Sequence, residues 1–286
     1  MLAQQPDIGS AMAHHLLWAE TLTAFGRPAG HSGSPLADGP LPSVGDRDSR
    51  MPYAAAPGAR PATARRWSVY GWSLVRQRSD TATLAPAAQY GGSQAGLIVR
   101  YAFGDGPSVP YIYARAAGAL ASADDRTLAI GLSARPWRRI PVDLAVERRF
   151  GLGTRQPDRF VAIASAGGAT RLGRSEVRLE GYGQAGVAGL KQSQAFFDLQ
   201  MLGTRPVFAS EQTVLSVGGG LWAGGQQDIQ DTGQREWVHR VDMGPRAALV
   251  LPARESQMTL ALDWRQRVDG QARPASGAVL TLSAGF

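Results

Sequence analysis

Along most of the chain, apolar residues alternate one for one with small or polar ones. In "SQAGLIVRYAF", Ala95, Leu97, Val99, Tyr101 and Phe103 interleave with Gln94, Gly96, Ile98, Arg100 and Ala102. In "RTLAIGLSAR", Leu128, Ile130, Leu132 and Ala134 interleave with Thr127, Ala129, Gly131, Ser133 and Arg135. "PVDLAVERRF" sets Val142, Leu144 and Val146 against Asp143, Ala145, Glu147 and Arg149, and "SQMTLALDWRQR" sets Met258, Leu260, Leu262 and Trp264 against Thr259, Ala261, Asp263 and Arg265. A period of two puts successive side chains on opposite faces of a strand, whereas a helix repeats every 3.6 residues. Carried along the chain, the pattern predicts twelve strands, over 67–76, 93–103, 110–120, 126–135, 140–150, 158–166, 175–189, 194–202, 212–223, 236–250, 256–266 and 277–286. Between them, "GDGP", "RPWRR", "GGATRLGR", "GTRP" and "QARPASG" carry turn chemistry.

Residues 1–65 read differently. "GRPAGHSGSPLADGPLPSVGDRDSRMPYAAAPGARPATA" is too poor in large apolar residues to offset the entropy of ordering it. The prediction is a mostly disordered amino-terminal extension, with one short helix near 9–25, followed by a single all-β domain over 66–286.

Strand length and the content of the polar face decide what kind of β domain this is. The strands approach the ~9–11 residues that cross a bilayer at a tilt, whereas sandwich strands are more often about five or six. Arg100, Arg115, Asp143, Glu147, Arg178, Glu180, Asp242, Arg246 and Asp263 all lie in the polar phase, several of them mid-strand. In a transmembrane antiparallel barrel that face lines the lumen, where arginines and acids pair with one another, and the apolar face meets lipid. Aromatics recur towards strand ends, as interfacial girdles require: Trp67, Tyr70, Trp72, Tyr101, Phe103, Tyr111, Tyr113, Trp137, Phe150, Trp222, Trp237, Trp264 and Phe286. The alternative is a soluble all-β binding protein whose charges face bulk water. Twelve strands leave a narrow lumen, which inward arginines would largely fill. The expectation is an occluded or slightly anion-selective passage.

Composition removes several other classes. The net charge of +7 is almost all arginine, with Lys191 the only lysine. Those arginines are scattered among acids and form no basic stripe, which argues against nucleic acid as a partner. No cysteine is present, so disulfides and Cys-based zinc sites are excluded. His14 and His15 are adjacent but lack further ligands, and no metal or other cofactor is expected. "GYGQAG" matches a dinucleotide fingerprint yet sits inside a strand pattern, where glycines instead allow bending and close packing. His239, with Glu236 and Asp231 nearby in sequence, is the one conceivable general base. Catalysis is not expected, and an outer-membrane hydrolase stands as an alternative.

In "GAVLTLSAGF", Ala278, Leu280, Leu282, Ala284 and Phe286 share one face, so the pattern stops on its apolar phase with an aromatic. This resembles the carboxy-terminal signature of Gram-negative outer-membrane β-barrels. The resemblance implies that Leu280, Leu282 and Phe286 form a signal for the barrel-assembly machinery. It also implies residence in the bacterial outer membrane, with the lipid bilayer and lipopolysaccharide as surroundings. Deleting Phe286 is then expected to impair assembly in cells far more than refolding in detergent. "SLVRQRSDTATLAPAAQYGGSQAGLIVRYAF", "GLSARPWRRIPVDLAVERRF" and "VRLEGYGQAGVAG" look like the carboxy-terminal barrel of NfrA-type phage-adsorption proteins. That barrel is similar to the one ending polysaccharide-secretion proteins such as the cellulose-synthase C subunit. The implied roles are a surface receptor used by phage, or a pore tied to periplasmic export components and exopolysaccharide. The tetratricopeptide-rich region of those families has no counterpart in residues 1–65. The first 30 residues show no recognisable secretory signal, so a misassigned start, a fragment or a mature form is expected. An even strand count would put the loops at 77–92, 224–235 and 267–276 outside the cell, and the turns "GDGPSV", "PWRR" and "LPARE" in the periplasm.

Overall fold

In the computed structural model, the alternating segments become a closed antiparallel barrel of twelve strands in sequential order, sealed by pairing of the first strand with the last. The structure describes residues 66–76, 93–104, 108–120, 126–137, 140–152, 158–172, 176–190, 193–210, 213–229, 234–253, 256–272 and 274–285. The expected extension with its helix, the 77–92 loop and Phe286 lie outside the described residues. The strands are β1 (Trp67–Arg76), β2 (Gln94–Ala102), β3 (Tyr111–Ala119), β4 (Arg126–Ala134), β5 (Val142–Gly151), β6 (Arg159–Arg171), β7 (Arg178–Ala188), β8 (Gln194–Ala209), β9 (Val214–Ile229), β10 (Arg235–Ala253), β11 (Ser256–Asp269) and β12 (Gly277–Gly285). Closure matters physically. With no sheet edge, every strand's N–H and C=O groups face a neighbouring strand, which is what a hydrocarbon solvent demands.

The apolar phase is outside. Ile130 and Leu132 of β4, Leu144 and Val146 of β5, and Leu280 and Leu282 of β12 are each more than two-fifths exposed, and Leu128 of β4 is half-buried on the same face. Arg115, Glu147 and Asp263 are almost completely buried. Apolar side chains outside and charges inside is the reverse of a water-soluble protein. It is the stable arrangement only if the outer wall meets lipid.

Outward aromatics gather at both ends. At the end where β1 starts and β12 finishes, Trp67 packs on Tyr101 and Tyr101 on Phe103, at 4.9 and 5.7 Å between ring centroids. At the far end, Phe197 packs on Trp237 at 5.7 Å, and the Arg148 guanidinium lies over Phe160 and Phe150. Arg148 faces outward at this far girdle and reaches Asp158 at 3.5 Å.

Other aromatics depart from the girdle expectation. Tyr70, Trp72, Tyr113 and Trp222 are buried inside the barrel, and Tyr111 packs against that inner cluster. Their phase is the inward one, and phase rather than distance from a strand end decides which face a side chain takes.

Several boundaries also shift. The Gly167–Gly168 pair expected in a turn lies within β6, and Gly203 to Pro206 lies within β8. β9 runs on to Ile229, so only the remainder of the expected 224–235 loop is a connection. Turn-forming residues are tolerated there because neighbouring strands supply ladder partners: Gly168 pairs with Gly181 of β7, and Gly203 pairs with Leu179 of β7 and Gly219 of β9. The prolines sit where they cost least. Pro206 adjoins a bulge between β8 and β9, and the β10–β11 pairing skips Gly244 and Pro245 between Met243 and Arg246.

Candidate functional site: a filled and charged lumen

The lumen holds two kinds of filling. One is an apolar and aromatic cluster that includes Leu74, Ile98, Val161, Ile163, Phe196 and Val279. Val279 is 0% and Ile98 2% exposed, so these inward side chains are fully packed. The other filling is a set of arginine–carboxylate groups on inward positions.

The first group spans β3 to β5. Register sets Tyr113 opposite Gly131 and Gly131 opposite Glu147, and it aligns Arg115, Ala129 and Arg149 one step further along the strands. The middle strand therefore offers only Ala129 and Gly131 where its neighbours carry long side chains. The Tyr113 ring occupies the space in which a Cβ on residue 131 would stand. Lying across glycine, Tyr113 donates its hydroxyl proton to Glu147 Oε2 at 3.0 Å. Arg115 Nη2 and Arg149 Nη2 both donate to Glu147 Oε1 at 2.6 Å. One buried carboxylate thus holds two guanidinium groups and a phenol. Replacing Gly131 by alanine is expected to displace the ring and break the phenol bond. The loss should be about 1–3 kcal/mol, read as a lower urea midpoint for the detergent-refolded barrel.

The second group lies on β1, β10 and β11. Arg246 binds both oxygens of Asp263, at 2.9 and 3.0 Å, and Arg265 reaches the same carboxylate at 3.4 Å while lying 4.3 Å over the Trp222 ring. Asp242 accepts from Arg240 Nε at 2.7 Å and pairs with Arg76 at 3.5 Å. Elsewhere Arg135 makes a two-point contact with Asp143, at 3.1 and 2.7 Å. Arg178 bonds Glu180 on its own strand. The Arg100 guanidinium lies 5.1 Å from the Tyr111 ring centre.

All nine charged residues singled out from the sequence occupy inward positions, but they do not form one network. Arg115 meets Glu147, Arg246 meets Asp263 and Arg178 meets Glu180. Asp143 and Asp242 take partners from outside that set, namely Arg135, Arg240 and Arg76. Arg149 and Arg265 were also outside it. A usable signal was present: Glu147–Arg149, Arg178–Glu180, Arg240–Asp242 and Asp263–Arg265 are opposite charges two apart, which a strand places on one face. The buried apolar half of the lumen carried no such signal.

His239 stands apart from the lumen. It is on the outward face of β10 and bonds Asp269 at 3.0 Å. Glu236, three residues away, is on the opposite face of the strand, and Asp231 lies outside the described residues. Among the described residues no group of three or more His, Cys, Asp or Glu could hold a metal ion.

No protein-family model matches the chain. No curated protein matches it either. Among solved structures, an outer membrane channel from Pseudomonas putida F1 is similar at 13% identity and a TM-score of 0.43, covering 81% of this chain and 98% of that one. The NanC porin is similar at 7% identity and a TM-score of 0.40, covering 76% and 98%. A bacterial polysaccharide outer membrane secretin is similar at 9% identity and a TM-score of 0.38, covering 77% and 97%.

Proposed function

We propose that this chain is a bacterial outer-membrane barrel whose narrow lumen is a normally closed passage of the polysaccharide-export class. One observation carries the reading: an outer wall suited to lipid encloses an interior in which apolar packing and paired charges leave little room for water. A general porin would keep a wide hydrated lumen, and a soluble binding protein would not present Leu, Ile and Val along its exterior. Paired charges fit a passage better than a purely structural core. They are tolerated when dry and also ready to be hydrated when the barrel opens. The reading assigns no catalysis to the chain. A role as a surface receptor used by phage would rest on the outer loops, not on the lumen.

The test is to express the chain behind a working signal sequence, fractionate the cells and record the purified barrel in planar bilayers. The expected result is a heat-modifiable band in the outer-membrane fraction, and a conductance close to zero interrupted by brief openings. A protein found in the soluble fraction, or a steady wide conductance, would contradict the reading.

A further inference from the structure

At the end of the barrel away from β1's start, part of the β11–β12 connection is drawn into the barrel. Asp269 ends β11 and Gly270 follows with φ +87°, a conformation that suits glycine, and the His239 carbonyl stands where a Cβ on residue 270 would lie. The chain then turns inward. Ala272 is only 1% exposed, and its N–H donates to the His239 carbonyl at 3.2 Å. Two lumen arginines grip the turn, and Arg267 Nη1 adds a bond to the Ala272 carbonyl at 3.2 Å. Arg240 donates to the carbonyls of Ala272 (3.1 Å), Pro274 and Ala275 (3.5 Å), and Arg76 donates to Ala275 at 3.0 Å.

The same arginines are short of negative charge. Arg76 and Arg240 share one carboxylate, Asp242, and Arg246 and Arg265 share another, Asp263. Asp198 of β8 also faces this part of the lumen, but its Oδ2 accepts no hydrogen bond. With Arg267, which pairs opposite Asp242 and donates to the Ala272 carbonyl, five arginines face three acids, and the buried Nε atoms of Arg76 and Arg265 meet no acceptor. A dry excess of positive charge calls for an anion, yet the donors that remain go to neutral carbonyls. Guanidinium bonds to an oxyanion are roughly twice as strong as bonds between neutral groups.

We infer that Arg76 and Arg240 form an oxyanion-binding site in the far mouth of the barrel, and that the carbonyls of Ala272, Pro274 and Ala275 occupy it as an internal ligand. A carboxylate or phosphate arriving at this mouth takes the arginine donors and releases the turn. The inference rests on the passage reading only for the side from which the anion comes, since the site itself is built by β1, β10 and the turn.

Because the chain has no native cysteine, a single introduced thiol reports the turn cleanly. Ala272→Cys is refolded in detergent and its modification by a charged maleimide is timed with oligogalacturonate, with inorganic phosphate, and with neutral maltohexaose. Gln271→Cys, at an exposed position, is the control for reagent reactivity. Modification of Ala272→Cys should be slow alone and rise about tenfold with an anion, with maltohexaose having no effect. Response to phosphate alone would mark a small anion as the ligand, and response to oligogalacturonate would admit a sugar acid. Arg76→Gln with Arg240→Gln should leave the thiol indifferent to anions and faster than in the parent, with Arg267→Gln added to remove the remaining bond to the Ala272 carbonyl. Ala275→Cys repeats the test if Ala272→Cys does not refold. A thiol that reacts as fast as Gln271→Cys without ligand, or responds equally to the neutral sugar, would overturn the site. An anion response in a barrel that never conducts would instead count against the passage reading alone.

Discussion

Replacing Glu147 by leucine is expected to destabilise the folded barrel by about 3–5 kcal/mol, the largest effect of any single lumen substitution considered. Glu147 accepts from Arg115, Arg149 and the Tyr113 hydroxyl, and all four side chains are buried. The leucine variant leaves two guanidinium groups in a dry interior without their shared acid. The net worth of the intact cluster is a separate quantity, because desolvating three charges offsets much of their attraction. Converting Arg115 and Arg149 to methionine in the Glu147→Leu background should therefore recover most of the loss. Urea unfolding of the detergent-refolded variants, followed by heat-modifiable migration, measures both. A Glu147→Leu barrel as stable as the parent would mean that water or another acid already compensates these arginines.

The second large effect belongs to the outer wall. Ile130 is outward on β4, about half exposed, near the middle of the strand. Arginine there places a charge at the bilayer midplane, at a cost of ~2–4 kcal/mol. In detergent, where the headgroups can rearrange, the penalty should be smaller. Leu120, outward at the far rim just past β3, is the comparison: Leu120→Arg should cost about 0–1 kcal/mol, since the penalty fades towards the interface. Equilibrium unfolding in lipid vesicles checks both. Equal penalties at the two positions would remove the depth dependence that lipid imposes.

Legibility in the sequence differed between strands for physical reasons. β4 and β5 alternate large apolar with small or charged residues, and both their extents and their faces could be read directly. β9 was harder. "SVGGGLWAGG" has too few side chains to show a phase, and its outward positions include Gly219 and Gly225. Glycine and proline in β6 and β8 imitated turns, because turn propensity is local while the ladder partners that override it come from other strands. The charged lining showed itself as charges in the polar phase, yet the actual partners depend on register. Nothing in the chain around Arg76 announces that it meets Asp242 across the closing seam. The apolar half of the lumen was the least visible. Ile98 and Val279 lie on faces that otherwise carry small or polar residues, and a membrane barrel admits either kind inside, so alternation reports two faces without reporting what fills the inner one.

The central claim is that the apolar phase of the strands meets lipid and the polar phase meets the lumen. It is tested most directly on β4, again using the absence of native cysteine. Single cysteines at Thr127, Leu128, Ala129, Ile130, Leu132 and Ser133 are labelled with a small fluorophore, reconstituted into vesicles and quenched with brominated acyl chains. Strong quenching is expected at positions 128, 130 and 132 and weak quenching at 127, 129 and 133. Quenching at the second set, or the same quenching at all six, would contradict it.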